Sequence, residues 1–335
     1  AATAMYGSRA ANGVVVITTV APKAGEVRVS YNFTGTLEMP DLRDYNLANA
    51  SEKLEIERLA GLFDKGQANI PSTAVGMNNY YKKYALIQKG VDTDWMSIPL
   101  QNSFNHKHSI YLEGGTPNLR YGVDGSFNDG VMKGTERNRY SAGFSLDYRI
   151  KNLQVRNYVS FGHTKSKESP YGSFSDFSGL QPYDSPYKDD GTLREKLTYS
   201  KISGRDNNNP LYEATLGNYN WNSYDEVIDN LSFNWYLNDY WTVKGQFSVT
   251  KKYSKSEKFI DPLSSKTSVT GSKDNNLAGD LYTTNGESLD WNSNAFLYYT
   301  RSFNKQHNLN VSAGWEAASG TTESTKCSLS WISVG

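Results

Sequence analysis

A single cysteine, Cys327, stands in 335 residues. That excludes an intramolecular disulfide and a cysteine-rich zinc centre. Histidine is nearly as scarce, with four in the chain. His106 and His108 share one face of a strand at i, i+2, but no third ligand follows at a useful spacing. Asp184, Asp189 and Asp190 beside Gly191 lack the spacing of a calcium loop. No G-x-S-x-G elbow is present, and one thiol with scattered histidines does not make a thiol enzyme. The chain is therefore read as a non-enzyme with no cofactor and no metal site. Neither sign of charge is in excess, with 35 Lys plus Arg against 35 Asp plus Glu. A basic nucleic-acid surface and an acidic tail are both excluded, so no nucleic-acid partner is expected. Long apolar runs are missing too: the longest aliphatic run is Val14 to Ile17, and the mean hydropathy is −0.64. A helical membrane span needs ~18 apolar residues, so none is expected. The first residue is Ala1 and no leader pattern follows it, so the chain is expected to be an internal segment of a longer protein.

Aromatic residues and strict alternation are abundant. There are 7 Trp, 24 Tyr and 13 Phe. Val27, Val29, Tyr31, Phe33 and Leu37 alternate with Arg28, Ser30, Asn32, Thr34 and Thr36. Leu119, Tyr121, Val123 and Phe127 alternate with Arg120, Gly122, Asp124 and Ser126. Tyr140, Phe144, Leu146, Tyr148 and Ile150 alternate with Ser141, Ser145, Asp147 and Arg149. A 3.6 period would smear such apolar sets around a helix, so these are strands. The pattern predicts nine strands near 26–38, 104–114, 119–129, 139–150, 153–168, 227–237, 241–259, 288–303 and 308–319, with a short earlier one at 14–19. Each is long enough for the ~9–11 residues of a tilted membrane strand. Short connections (115–118, 151–152, 238–240, 304–307) alternate with longer ones (41–103, 130–138, 170–226, 260–287). That predicts antiparallel neighbours with every long loop at one end, the layout of an outer-membrane barrel. A soluble up-and-down sheet or sandwich has the same periodicity and stays open at this point. Trp235, Tyr236, Tyr240 and Trp241 crowd one short turn, which suits a membrane interface and equally suits cross-strand packing. Within the long loops, a helix capped by Ser51 and a second one over 77–89 ending at Gly90 are predicted. The residues 321–330 show no clean alternation.

Ala4-Met5-Tyr6-Gly7-Ser8-Arg9-Ala10-Ala11-Asn12-Gly13-Val14-Val15-Val16-Ile17-Thr18-Thr19 resembles the end of the plug domain of TonB-dependent outer-membrane transporters. The Tyr-Gly-Ser-Arg, Ala-Asn-Gly and Ile-Thr-Thr variant is similar to the SusC/RagA family. Asp92-Thr93-Asp94-Trp95, His108-Ser109-Ile110-Tyr111-Leu112-Glu113-Gly114-Gly115-Thr116, Asp129-Gly130-Val131 and Arg139-Tyr140 resemble further motifs in that family's order. The match is by motif over about 1–150 and by pattern beyond.

The resemblance implies an all-β fold: a partial antiparallel transmembrane β-barrel of about nine strands, open in this chain, preceded by the last strand of a plug. It implies a plug end and linker over 1–24 and barrel over 25–335. Tyr6, Gly7, Ser8, Arg9, Asn12 and Gly13 carry the plug motif, and Arg28, Arg120, Asp124, Asp147 and Arg149 become candidates to line the lumen. The implied function is TonB-dependent import of glycans, oligosaccharides or peptides across the outer membrane of a Gram-negative bacterium. The implied partners are the TonB complex, a SusD-like lipoprotein, a polar ligand and outer-membrane lipid. A siderophore receptor of the same architecture and a soluble extracellular ligand-binding module are the other classes. Pro22 and Gly25 interrupt any strand running from Val14 to Phe33, so the segment from Tyr6 to Thr19 is expected to be separate from the sheet. Val123, Phe144, Leu146 and Phe233 are expected to face lipid.

Overall fold

The computed structural model describes residues 21–66, 70–130, 134–202, 205–266, 279–304 and 307–332. The strand expected at 14–19 and the whole plug motif lie outside these residues.

Nine strands form one antiparallel meander in the order β1-β2-β3-β4-β5-β8-β9-β10-β11. They are β1 (Gly25–Glu38), β2 (Ser103–Gly115), β3 (Leu119–Gly130), β4 (Glu136–Ile150), β5 (Leu153–Lys167), β8 (Tyr219–Tyr236), β9 (Trp241–Ile260), β10 (Gly279–Phe303) and β11 (His307–Ile332). The sheet is open, with β1 and β11 as its edges. Four short turns lie at one end. In the two-residue turn after Ile150, Lys151 is left-handed with φ 50, as tight hairpins require. After Tyr236, the Asn238 side chain accepts from the backbone of Tyr240 and Trp241 at 2.9 and 3.0 Å. The long loops share the other end, as the alternation of loop lengths predicts.

Following the register assigns each side chain to a face. Phe33, His108, Phe127, Tyr140, His163, Asp225 and Tyr253 share one row. The row nearer the short turns holds Val29, Leu112, Val123, Phe144 and Val159, and the same face carries Leu231, Phe233 and Phe247. This row and its neighbours make an apolar band, interrupted on β8 by Asp229 opposite Val159. Val123 is 44% and Phe144 45% exposed, with Leu231 at 40%, so no second layer of described chain covers them.

The strands are strongly staggered. Leu119, which opens β3, is in register with Tyr148, Val155, Phe233, Gly245 and finally Ala295 of β10. Yet β10 runs on to Phe303 before it turns. Those extra residues rise ~26 Å over five inter-strand steps of ~4.8 Å, a slope of ~45°, the order of tilt a barrel wall needs.

Strand lengths correct the sequence reading. β8 begins at Tyr219 rather than 227, β10 at Gly279 rather than 288, and β11 continues to Ile332 through the stretch without alternation. Beyond the apolar band polar residues enter both faces of the sheet, with one further apolar row at Tyr219, Phe259, Leu281 and Leu329. The ladder persists while the alternation that marked it disappears, as in Thr321, Thr322, Glu323 and Ser324 paired with Leu289, Ser288, Glu287 and Gly286.

The sheet has no core of its own. The buried apolar cluster lies in the long loops, where Trp95, Phe177, Leu180 and Leu197 pack together. Two helices sit in the first loop, α1 (Ala50–Leu59) and α2 (Thr73–Gln88). The cap of α1 is Asn49, not Ser51: Asn49 accepts from Glu52 N–H at 2.9 Å and Glu52 returns to Asn49 N–H at 3.0 Å. This reciprocal pair outcompetes a cap two residues later. α2 starts earlier than predicted, capped by Ser72, and the left-handed Gly90 (φ +87) follows it. At Gly76 a Cβ would lie 1.8 Å from the Phe63 carbonyl oxygen, so only glycine lets α2 seat on the segment after α1. The second loop adds short helices α3 (Phe174–Ser178) and α4 (Pro210–Glu213) and a hairpin of β6 (Lys196–Ile202) and β7 (Arg205–Asn208).

Candidate functional site

The face opposite the apolar band is mostly polar, with Ile228 and Phe296 among its exceptions, and carries all five charged positions singled out in the sequence. Arg28 meets Glu113 at 3.3 Å, and Glu113 also accepts from the Lys23 backbone at 2.8 Å. Asp147 is 1% exposed. Its two carboxylate oxygens accept from Gln154 Nε2 at 3.0 and 2.9 Å and from Arg156 Nε at 2.9 Å, and Arg149 Nε lies at 3.5 Å. Arg120 is directly opposite Asp147 in the ladder. One buried carboxylate thus organises two guanidinium groups near the short-turn end, with charge-assisted bonds offsetting its desolvation, while Arg120 Nη2 reaches the Pro117 carbonyl at 3.5 Å. Asp124 stands apart, further from the short turns, and accepts from Tyr158 OH at 3.4 Å. Sequence reasoning missed Glu113, Gln154 and Arg156. They share the polar phase of their strands with the five named residues, so the same alternation locates them once the register is known.

At the other end, the long loops form a platform. The Thr93-Asp94-Trp95 motif pins the first loop to the second. Thr93 N–H donates to Pro182 O at 2.8 Å, Thr93 Oγ1 to Asp184 O at 2.9 Å, and Trp95 Nε1 to Gln181 O at 2.9 Å. Asp92 accepts from the first N–H of α1 at 2.9 Å, where a helix N-terminus favours a carboxylate. Beside this seam, Lys83 Nζ donates to Glu57 Oε2 at 2.7 Å and to Tyr183 OH at 2.9 Å, and Tyr183 OH donates to Glu57 Oε1 at 2.6 Å. Burial, then the Glu57 carboxylate, holds the Tyr183 phenol far above its ordinary value, so it stays a neutral donor. Glu213 ties the second loop to the third: it accepts from Ser264 Oγ at 2.6 Å, Ser265 N–H at 2.7 Å and Asn208 Nδ2 at 2.8 Å. Burial alone would raise its pKa, but these donors bring it below the usual carboxylate value. Asp184 accepts from the backbone of Thr198 and Tyr199, a structural role in place of the cation ligand weighed in the sequence.

A groove of about 810 Å³ opens on this platform, lined by Leu47, Ile56, Trp95 and Phe177 with Lys53 and Asp94 among its polar groups. An apolar floor with a few charged groups fits a mixed polar and apolar ligand. His106 and His108 lie on the apolar-band face, packed edge-to-face against each other at 5.2 Å, and His108 Nδ1 meets Tyr31 OH at 2.6 Å. No group of metal-binding side chains occurs among the described residues. No described helix is long and apolar enough to cross a membrane.

No known family profile matches the chain. Curated proteins do. The TonB-dependent receptor SusC of Bacteroides thetaiotaomicron is 29% identical over 148 residues, 43% of this chain and 13% of the relative. The TonB-dependent receptor P3 of Formosa agariphila is 25% identical over 326 residues, 94% of this chain and 29% of the relative. Among solved structures, the RagAB peptide transporter superimposes with a TM-score of 0.74 at 18% identity, covering 98% of this chain and 39% of its own. The RagAB peptide importer in its open-open state gives 0.71. The chain therefore spans less than a third of the length of these curated relatives.

Proposed function

We propose that this chain, a relative of the SusC/RagA type of TonB-dependent receptors, is one stretch of the wall and external loops of an outer-membrane importer. The observation that carries the reading is the uncovered apolar band, with a polar, ion-paired surface on the opposite face. A soluble sheet of this width would cover that band with a second layer. A bilayer covers it instead, and the ~45° slope and the short-turn, long-loop asymmetry follow from the same placement. Arg28, Arg120, Asp124, Asp147 and Arg149 then line the interior. Residues 1–24 are the end of a plug and its linker, with Tyr6, Gly7, Ser8, Arg9, Asn12 and Gly13 carrying its motif. Cargo is a glycan, oligosaccharide or peptide, captured with a SusD-like lipoprotein over the long loops and moved by TonB acting on the plug. The groove beside Trp95 is the first candidate contact for cargo or lipoprotein on this chain.

Spin labels in the full-length receptor test the placement. A label at Phe144 is expected to be relaxed by oxygen and shielded from a water-soluble quencher, and one at Asp124 to show the reverse. A label at Phe144 that the aqueous quencher reaches would return the chain to the soluble class. The tryptophan groove is tested by Lys53→Glu with Ile56→Ser, expected to weaken uptake or lipoprotein retention without changing receptor levels in the outer-membrane fraction.

A further inference from the structure

Resting on the outer-membrane placement above, we propose that the rim of β5, β8 and β9 binds the phosphorylated sugar headgroup of an outer-leaflet glycolipid. Three lysines make the site. Lys165 and Lys167 of β5 and Lys255 of β9 point to the same face as the apolar band, because Lys165 is in register with Ser223 and Ser223 with Lys255, while Lys167 faces Trp221. The Trp221 ring lies between them, with Lys165 Nζ at 6.0 Å and Lys255 Nζ at 5.5 Å from its centroid. The lysines are exposed. Among the described residues none of the three is ion-paired; Glu136 stands opposite Lys167 in the ladder, and three other acidic groups on this face are engaged. Asp225 holds His163 at 2.7 Å, Glu257 accepts from Tyr219 OH at 3.0 Å, and Glu287 holds Lys251. Glu323, opposite Glu287 in the ladder, shares the wall of one hollow with Lys255.

Height decides the occupant. Lys165 follows Phe161, the last apolar residue of β5 on this face, by four positions, ~13 Å along the strand and ~10 Å above the band at the observed tilt. That is where headgroup phosphates lie. Lysines there are drawn to anionic lipid, and an indole between them suits the boundary between acyl chains and sugar. Beside Lys255 a polar hollow of about 410 Å³ is lined by Ser223, Tyr253 and Asn285 with the carboxylates of Asp225, Glu287 and Glu323. An aromatic ring among amide, hydroxyl and carboxylate groups is a surface for a sugar, next to cations for its phosphate. The apolar band immediately below accepts the acyl chains, so one molecule engages all three features.

The test uses the full-length receptor in detergent, titrated with diphosphoryl lipid A and with the same lipid dephosphorylated, with bound lipid counted by native mass spectrometry. The parent is expected to bind the phosphorylated lipid at least tenfold more tightly, and the triple variant K165Q/K167Q/K255Q to lose that preference. Lys252→Gln, on the opposite face, is expected to keep it. Equal binding by parent and triple variant overturns the proposal, as does full displacement by millimolar inorganic phosphate, which marks a free-anion site. Should the triple variant fail to reach the membrane, Lys255→Glu is read in the same assay, with the same two outcomes. Oxygen accessibility at a Phe144 label in the same samples separates the two readings. Lipid contact at Phe144 without lipid preference sinks this inference alone, and loss of contact at Phe144 sinks the membrane placement beneath it.

Discussion

Asp147 shows how a single side chain holds together a surface that would otherwise repel itself. Removing it leaves Arg149 and Arg156 on one polar face without their shared acceptor, with Arg120 opposite it in the ladder. Asp147→Ala is expected to destabilise the full receptor by about 1–3 kcal/mol, the range for a buried acceptor lost from its donors, read as a lower unfolding temperature. Asp147→Asn, which keeps an acceptor oxygen, is expected to lose less. Glu213 makes a pH-dependent counterpart among the loops. Its folded pKa lies below the ordinary 4.5, so its contribution is complete above that value and is lost as pH falls through the depressed one. Hydrogen-exchange protection factors in 261–266 are expected to be flat from pH 7 to 5 and to fall below 4.5; a loss of protection between pH 7 and 6 would contradict the role given to Glu213.

Elements differ in how openly the sequence announces them. β1 to β5 were legible to within three residues because one face of each meets an apolar phase and the other a polar one. The outer halves of β8, β10 and β11 were not, because water on both sides removes the need for alternation while the neighbouring strand still supplies every hydrogen bond. Helix α1 was legible as a helix, but its start was not: Asn49 and Ser51 are both good caps, and the reciprocal Glu52 bond that decides between them needs coordinates. Of the candidate site, the polar phase of Arg28, Arg120, Asp124, Asp147 and Arg149 was visible. The ion pairing of three of them was not, since partners such as Arg156 lie on other strands at a register no turn length states. Two measurements belong at this scale. Asn49→Ala is expected to cost about 1 kcal/mol, seen as faster exchange confined to 50–59. Phe144→Arg is expected to cost ~2–4 kcal/mol near the bilayer midplane and little if the residue faces water. Phe233, whose ring lies over Gly245, is a second position to read the same way.

At the scale of the whole molecule, this chain is a wall segment and not a closed structure. β1 and β11 expose unpaired ladders, and exposed edges invite pairing with other chains. The segment 25–332 expressed alone is expected to aggregate or to pair edge to edge, with no closed-pore conductance in planar bilayers. Nine is also an odd number of strands, so β1 and β11 run in the same direction. The backbone therefore enters the sheet from the short-turn compartment and leaves it from the other, a net crossing that an even set of hairpins never makes. Labels placed on the two sides of this segment consequently answer to different proteases: one inserted at position 24 of the intact receptor is expected to survive digestion of whole cells, and one inserted directly after Ile332 to be cut.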